Sequence, residues 1–473
     1  MPTCTIDGKK IEFSTGENLV EIAKKAGIHI PVYCYHPALR VVAQCRMCAV
    51  EIEGMPKLQT ACSTAAQEGM VVHTTSEKTV KNRESIMEFL LINHPLDCPV
   101  CDEAGECELQ DFSYEHGSPY MRYSEERRTY VDLDMGPVIK KNMNRCIHCT
   151  RCIRFGEEVA GIHEMVALQR GNNVEITTVD GKALETDYAG NYADICPTGS
   201  LTLKDFRFKK RAWMLKKTPS ICEGCSKGCN IELHWDHGVV HRTVPRENQS
   251  INKHWLCDEG RFHFRDTQDT KRILTPLVLE NGSQHESSWG DAVSCVRRLI
   301  QGKKGVVLIG TDLTTEEMKQ AQNFAKEHCN GAATFHFGTP GVLSSKDDAD
   351  EDSILKRKSK TSNLNGAEKM GLMPFQKLTT GEEFAIIFSG GRAIVPVRDE
   401  KTIKIGIGMF LKTEVKNFNV ILPGPAFTEK SGTIFNYQGV EQKINKAINP
   451  PGDCMEIGCI LDQVSKAQTA GVA

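Results

Sequence analysis

Residues 94–107 read His-Pro-Leu-Asp-Cys-Pro-Val-Cys-Asp-Glu-Ala-Gly-Glu-Cys. Cys98, Cys101 and Cys107 stand two and five residues apart, and the imidazole of His94 precedes them by a three-residue gap. Thiolates and imidazole in so short a run are ligands for zinc or for an iron–sulfur cluster. Pro95, Pro99 and Gly105 supply the turns with which one loop wraps a single inorganic centre. Taken alone, this run fits a Cys₃His zinc site and a cluster equally well. Three further groups accompany it. Cys34, Cys45, Cys48 and Cys62 have ten, two and thirteen residues between them. Cys146, Cys149 and Cys152 form a triplet, answered much later by Cys196-Pro197. Cys222, Cys225, Cys229 and Cys257 are separated by two, three and twenty-seven residues.

Twenty cysteines in 473 residues exceed what an ordinary intracellular chain needs. The Met1 end lacks the basic, apolar and small-residue pattern of a secretory signal. Clustered Cys-x-x-Cys pairs in a reducing compartment mean metal ligation rather than a disulfide framework. The net charge of −3 gives no global attraction to nucleic acid or an anionic membrane. No apolar run approaches the roughly 18 residues of a bilayer span. The length alone predicts about three domains. The basic, aromatic stretch 207–217 is expected to be a solvated linker, or a docking strip for an acidic partner, rather than a nucleic-acid contact.

Several elements must position these ligands. Residues 3–13 alternate around Asp7-Gly8, which predicts a hairpin. Residues 18–26 have helical periodicity, with Asn18 as N-cap and Gly27 as stop. Cys4 falls on a strand outside every quartet and is expected to be a small buried residue. Residues 76–93 form a helical approach to His94, with Ile86, Phe89, Leu90 and Ile92 on or near one face. His148 is expected to be a polar loop residue, since four thiols already complete its group. Further on, 306–309 and 385–388 read as buried parallel strands, with an amphipathic helix over 315–328. The acidic run 347–352 and the basic run 356–360 read as an exposed loop. Cys295, Cys329, Cys454 and Cys459 read as ordinary buried thiols.

Hairpin, helix and Cys-rich loop resemble the β-grasp of plant-type 2Fe–2S ferredoxins, which have four residues where this chain has ten between the first two ligands. That longer spacing, and the His-Cys₃ run of 94–107, resemble the large iron–sulfur subunit, the G subunit, of bacterial NADH–quinone oxidoreductase, the respiratory complex I. A neutral imidazole in place of one thiolate removes a negative charge and, taken alone, raises the potential. Residues 146–152 begin a bacterial ferredoxin signature, but Gly156 stands where the next thiol would be. Reading back from Cys196, Tyr192, Ala189 and Thr186 replace the other ligands of a second cluster, so one 4Fe–4S site remains. Cys222–Cys257 resembles the 4Fe–4S domain of molybdenum and tungsten bis-pterin oxidoreductases, with Glu259 where a Lys is usual. Residues 363–372 and 420–442 resemble parts of the molybdopterin oxidoreductase core, but about 200 residues are too few for all of it, and no molybdenum ligand is present.

The resemblance implies a multidomain α+β chain. Its parts are a 2Fe–2S β-grasp domain (1–78), a His-Cys₃ 4Fe–4S segment (79–118), a single-cluster ferredoxin-like domain (119–214), a bis-pterin-type 4Fe–4S domain (215–272) and a shortened α/β domain (273–473). It implies one 2Fe–2S cluster on Cys34, Cys45, Cys48 and Cys62. It implies three 4Fe–4S clusters, on His94, Cys98, Cys101 and Cys107, on Cys146, Cys149, Cys152 and Cys196, and on Cys222, Cys225, Cys229 and Cys257. No molybdopterin is expected. The implied role is electron relay from NADH, through a partner's FMN, toward quinone. The first three centres would lie on or near the path and the fourth to the side. No dinucleotide fingerprint or flavin site is visible, so NADH oxidation would need the partner. Implied partners are the other peripheral-arm subunits, including the FMN/NADH-binding subunit and downstream iron–sulfur subunits, with no nucleic acid. The implied location is the cytoplasmic face of the bacterial inner membrane, held there through the complex. Two relatives share part of the pattern. The iron–sulfur and molybdenum subunit of an NAD-linked formate dehydrogenase has all four quartets, and the diaphorase-side subunit of a soluble NAD-linked hydrogenase resembles residues 1–205. A zinc-bearing assembly scaffold is the non-redox alternative.

Overall fold

The computed structural model describes residues 1–131, 134–378, 381–397, 399 and 401–466. The chain forms two compact units, Met1–Met214 and Leu215–Ala473.

In the first unit, Thr3–Ile6 and Lys9–Glu12 pair antiparallel. Asp7 and Gly8 between them have φ of 47° and 80°. Two successive left-handed residues match the right-handed twist of the strands, as the Asp-Gly turn predicts. The five-stranded sheet runs Lys9–Glu12, Thr3–Ile6, Val71–His73, Ala49–Ile52, Gln59–Thr60, with Thr3–Ile6 and Val71–His73 parallel. Helix Leu19–Lys25 starts at Asn18, whose Oδ1 accepts the Glu21 N–H at 3.1 Å, and stops before Gly27 at φ 71°. It lays Leu19, Ile22 and Ala23 on Ile6, Val50 and Val72, and Cys4 is buried in the same core. This is the grasp expected from the hairpin and helix signals.

Helix Glu77–Leu91 is capped by Ser76 and buries Thr79, Arg83 and Met87. Ile86, Leu90 and Leu91 pack against the same buried cluster as Met87, as the apolar spacing predicts for Ile86 and Leu90, whereas Phe89 is 73% exposed. Tyr33 Oη donates to Met87 Sδ at 3.2 Å. Beyond it, Ile139–Lys141 pairs antiparallel with Leu201–Leu203, and Met165–Leu168 with Glu175–Thr178. The first of these pairs brings the segment entering Cys146 alongside the segment leaving Cys196, so ladder register closes that quartet.

In the second unit, Lys216–Ile221, Asn230–Asp236 and Val239–Pro245 form an antiparallel sheet. A separate eight-stranded sheet runs Ser283–Glu286, Leu277–Glu280, Val420–Pro423, Ile403–Gly408, Phe384–Ser389, Gly305–Gly310, Ala333–Phe337, Met373–Pro374. Its six strands from Val420–Pro423 to Met373–Pro374 are parallel. Val307, Ile309, Ile386 and Phe388 face helices Trp289–Ile300, Thr315–His328 and Ile457–Lys466. Val306, Leu308, Ala385 and Ile387 face Phe410 and Phe418 on the other side. Burial on both faces explains why these strands read as unbroken apolar runs. Helix Ile457–Lys466 turns Ile457, Ile460, Leu461 and Val464 inward, which leaves Cys459 exposed. Of the four thiols expected to be buried, only Cys329 is, and Cys295 and Cys454 are half-buried. Among the described residues, no helix is long and apolar enough to cross a membrane.

A buried ion pair ties the segment that leads into the eight-stranded sheet to the turn Phe427–Glu429 that follows strand Val420–Pro423. Arg272 donates through both terminal nitrogens to Glu429, each at 2.6 Å, and also to the carbonyls of Thr267 and Gly424 at 2.7 and 3.2 Å. Removing one partner strands the other charge away from water, at a cost of about 3–5 kcal/mol. Glu429→Gln should therefore lower the denaturant midpoint of this unit markedly. The double variant Arg272→Met, Glu429→Leu should recover most of that loss, as measured by chemical unfolding of each chain.

Candidate metal centres

The first quartet sits in the grasp. Cys34 N–H points at Cys45 Sγ and Cys45 N–H at Cys34 Sγ, both at 3.5 Å. Left-handed Ala43 and Arg46, φ 50° and 61°, coil the intervening loop. The partner thiol holds Cys34 and Cys48 below the ordinary thiol range, and the same pairing with burial pushes Cys45 and Cys62 up. Four sulfurs brought together in this way are a donor set for a metal centre.

Cys146, Cys149, Cys152 and Cys196 line one enclosed space with Ile147, Met165, Ile176 and Leu201. Left-handed His148 and Thr150, φ 54° and 60°, wind the triplet around it. Burial pushes these thiols upward, Cys146 to about 11. They give up their protons only to a positive centre, which is the chemistry of a metal cage. His148 turns away and places Nε2 3.0 Å from Val174 O, as a polar loop residue does. Gly156 and Tyr192, two positions that depart from a two-cluster signature, face each other. A Cβ on Gly156 would lie 2.9 Å from Tyr192 Oη, and the Tyr192 ring packs edge-on against Phe155 at 4.9 Å. An aromatic ring thus occupies this region of the fold.

In the 94–107 run, Cys101 and Cys107 are buried beside Pro197–Gly199. A Cβ on Gly199 would sit 2.1 Å from Cys101 Sγ, and Cys107 Sγ lies 3.7 Å from Pro197 O. Cys98 is exposed on the turn Cys98–Val100. His94 lines a cavity of about 70 Å³ with Asn144, Cys146 and His148. Its Nδ1 is buried without a hydrogen-bond partner. Burial, reinforced by the Arg145 charge, pushes the imidazole down to about 4, so it is neutral and able to ligate. The structure brings Cys101 and Cys107 together and leaves Cys98 in solvent.

The stretch expected to be a solvated linker is instead a strap over this loop. Phe208 N–H donates to Asp102 Oδ1 at 2.7 Å, and Arg207 pairs with Asp102 at 3.3 Å. Arg211 donates to Cys101 O at 2.6 Å and also to Pro99 O. The Trp213 ring lies over Gly105, where a Cβ would come within 2.5 Å of it. The signal that could have found this contact is the complementary charge of Asp97 and Asp102 inside the cysteine run. Asp97 is itself clamped by Arg145, at 3.1 and 2.8 Å.

One buried apolar cluster contains Cys34, Cys107 and Cys149 together with Tyr33, Met47, Met87, Leu109 and Phe112. Two buried arginines on helix Arg151–Phe155 stitch the same groups by their backbones. Arg151 donates to Tyr35 O at 2.9 Å and Ile195 O at 3.3 Å, and pairs with Glu108. Arg154 donates to Cys34 O at 2.5 Å, Arg40 O at 2.6 Å and Cys149 O at 3.3 Å.

In the second unit, Cys222, Cys225, Cys229 and Cys257 line one space with Glu259, Leu355, Lys356 and Lys360. Gly224 N–H points at Cys222 Sγ and Gly260 N–H at Cys257 Sγ, each at 3.3 Å. A Cβ on Gly260 would stand 2.9 Å from Cys222 Sγ, so that glycine gives the sulfur its room. The run 347–360 is not simply an exposed loop. Ser359 accepts from Ser226 N–H at 3.0 Å, and Asp348 accepts from Ser226 Oγ at 2.5 Å and from Ser359 N–H at 3.0 Å. Its basic half closes over the quartet. Glu259 is paired with Arg392 at 2.6 Å and Lys360 at 3.3 Å, two cations that spacing arguments missed.

Ligands of open parallel sheets bind beyond the carboxyl ends of the strands. Here Asp312, fully buried, accepts from Arg392 N–H at 2.6 Å and Ala393 N–H at 2.8 Å, tying two strand ends together. The nearby cleft of about 410 Å³ is lined by Glu316, Glu317, Glu456 and Asp462 against Lys430 and Lys446. Carboxylates in excess do not fit a phosphate-bearing pterin dinucleotide. Among the described residues, no three His, Cys, Asp or Glu side chains converge as they would on one bare ion. Ligands of a polynuclear cluster need not, because they are shared out over two or four irons.

These domains and cysteine cages define a multidomain iron–sulfur protein with 2Fe–2S and 4Fe–4S binding domains. Family models match as follows: 2Fe-2S iron-sulfur cluster binding domain over 1–77, and NADH-ubiquinone oxidoreductase-G iron-sulfur binding region over 83–122. The NADH-quinone oxidoreductase subunit 3 ferredoxin-like domain matches 136–202, the molybdopterin oxidoreductase Fe4S4 domain 215–269, and molybdopterin oxidoreductase 382–467. The NADH-quinone oxidoreductase G subunit of Rickettsia bellii is 41% identical over 330 residues, 69% of this chain and 48% of its own length. The mitochondrial NADH-ubiquinone oxidoreductase 78 kDa subunit of Neurospora crassa is 44% identical over 299 residues, 63% of this chain and 40% of its own. A chain in a crystal structure of an NAD+-reducing [NiFe]-hydrogenase in the H2-reduced state is 31% identical, with a TM-score of 0.40 over 44% of this chain and 90% of that one. The chain belongs to the family of NADH-quinone oxidoreductase G subunits. It spans about half the length of the curated relatives it matches.

The strap over Gly105 makes a direct prediction. Gly105 and Gly27 both have positive φ, 89° and 71°, but nothing lies within 4 Å of a Cβ on Gly27. Gly105→Ala should therefore release iron to a chelator several-fold faster than wild type. Gly27→Ala, which carries only the backbone cost of about 1–2 kcal/mol, should not.

Proposed function

We propose that this chain is an electron-relay subunit of an NADH:quinone oxidoreductase. The observation that carries this reading is the single buried apolar cluster holding Cys34, Cys107 and Cys149, members of three separate ligand groups. A continuous packed, low-dielectric medium between redox centres is what a relay needs, and a set of independent structural sites has no use for it. The ligand sets are one 2Fe–2S centre on Cys34, Cys45, Cys48 and Cys62, and three 4Fe–4S centres. Those three are on His94, Cys98, Cys101 and Cys107, on Cys146, Cys149, Cys152 and Cys196, and on Cys222, Cys225, Cys229 and Cys257. The boundaries follow the ligand groups: 1–78, 79–118, 119–214, 215–272 and 273–473.

Such centres supply reversible one-electron transfer. The residues of this chain hold them, exclude water and set their potentials through ligation, burial and N–H···S bonds. Arg151 and Arg154 fix the spacing of the groups. Electrons originate with an FMN/NADH-binding partner and leave to a downstream iron–sulfur subunit, in a complex at the cytoplasmic face of the bacterial inner membrane. A docking face for a partner is supported by the exposed apolar residues around Cys98: Leu96, Val100, Phe208 and Trp213. The family resemblance puts the fourth centre to the side of the path. No molybdopterin is required, and the excess of carboxylates in the cleft lined by Glu316 and Glu317 would repel its phosphates.

Metal analysis of the anaerobically purified chain tests the reading. One two-iron and three four-iron centres predict about 14 iron per chain, with no molybdenum or tungsten. Stoichiometric molybdenum or tungsten would make the chain a formate dehydrogenase-type enzyme in its own right. Zinc with little iron would make it a scaffold.

A further inference from the structure

Helix Glu77–Leu91 presents one charged side chain to the interior. Arg83 is 3% exposed, and both Nε and Nη2 are buried with no hydrogen-bond partner. The other buried arginines of this unit are satisfied differently. Arg145 is clamped by Asp97, Arg151 by Glu108 and two carbonyls, and Arg154 by three carbonyls. Around Arg83 the helix is pinned to the first cysteine loop. The preceding residue, Asn82, donates to Arg46 O at 3.5 Å, and Met87, one turn on, accepts from Tyr33 Oη at 3.2 Å. Arg83 therefore lies beneath the loop that carries Cys45 and Cys48. Burial lowers its pKa, and the largest opposing influence is the charge of Cys48, ahead of Asp7 and Glu115.

A buried, unpaired guanidinium costs several kcal/mol unless an anion answers it. Among the described residues, no carboxylate lies within bonding reach of these two nitrogens. Four thiolates around two irons carry net negative charge, and one electron makes that charge larger. We infer that Arg83 is the counter-charge of the 2Fe–2S centre and a positioning residue for its electron: its buried cation favours the reduced over the oxidised state. This rests on the proposed ligation by Cys34, Cys45, Cys48 and Cys62. It adds a residue outside the ligand set that sets where the centre stands in the relay.

The test is an EPR-monitored redox titration of the 2Fe–2S signal in the full chain, comparing wild type with Arg83→Lys, Arg83→Gln and Arg83→Met. Removing the charge should shift the one-electron reduction equilibrium toward the oxidised form by about tenfold, equivalent to about 59 mV. Arg83→Lys should stay within about threefold of wild type. If the neutral variants lose the centre while Arg83→Lys retains it, the positive charge is needed to hold the anionic group, in agreement with the inference. Unchanged midpoints in the neutral variants would overturn it. So would equal shifts or equal loss of the centre in all three, since shape rather than charge would then matter. Absence of a 2Fe–2S signal from wild type would instead overturn the ligand assignment itself.

Discussion

A thiolate buried away from water is unstable unless positive charge stands beside it, and this chain buries many cysteines. Protons held tightly by Cys146, Cys152 and Cys196 express that cost directly. Most of the architecture follows from it. The groups at Cys146–Cys196 and Cys222–Cys257 are enclosed, so that an inorganic centre rather than water meets the sulfur, and in the 94–107 run Cys101 and Cys107 are buried while Cys98 stays exposed. Each enclosure draws backbone N–H groups onto sulfur, as Gly224 and Gly260 do. Cations gather where the anionic groups are densest, with Arg83, Arg145, Arg151 and Arg154 all buried in one unit.

The two units meet this constraint differently. In the first, secondary structure is short, and the ligand loops are held mainly by arginine-to-carbonyl bonds and by one shared apolar cluster. In the second, a large parallel sheet supplies the core, and the quartet is closed by Lys356 and Lys360 arriving from a segment far along the chain. Glu259 is the point where sequence alone promised an electrostatic anomaly. Arg392 and Lys360 remove it, because a carboxylate gripped by two cations presents little net negative charge to its surroundings.

Features whose partners lie close in sequence were legible beforehand. Asp7-Gly8 announces its turn because only a left-handed pair fits the strand twist. Asn18 announces a helix start because its cap is three residues away. The ligand groups were visible as spacing, and the buried parallel strands as apolar runs. Features decided by remote partners were not. On Glu77–Leu91 the apolar spacing placed Ile86 and Leu90 inward, but the burial of Arg83 and the exposure of Phe89 were not visible in it. The basic run at 207–213 looks solvated until Asp102 and Gly105 are placed beneath it. The 347–360 segment looks like loop charge until Ser226 and Glu259 are seen to receive it. Cys98 and Cys459 show that a cysteine's exposure depends on which side of a turn or helix the surrounding packing selects.

The strap also sets a schedule. Its anchors on Asp102 and Cys101 lie 106 and 110 residues upstream. A ribosome working at about 5–20 residues per second therefore finishes the loop roughly 5–20 s before it supplies the strap. During that interval the cysteines are made but uncovered. Trp213 arrives afterwards, as a latch over Gly105. The order of the chain thus leaves the loop uncovered for that interval, and the latch closes over it only afterwards.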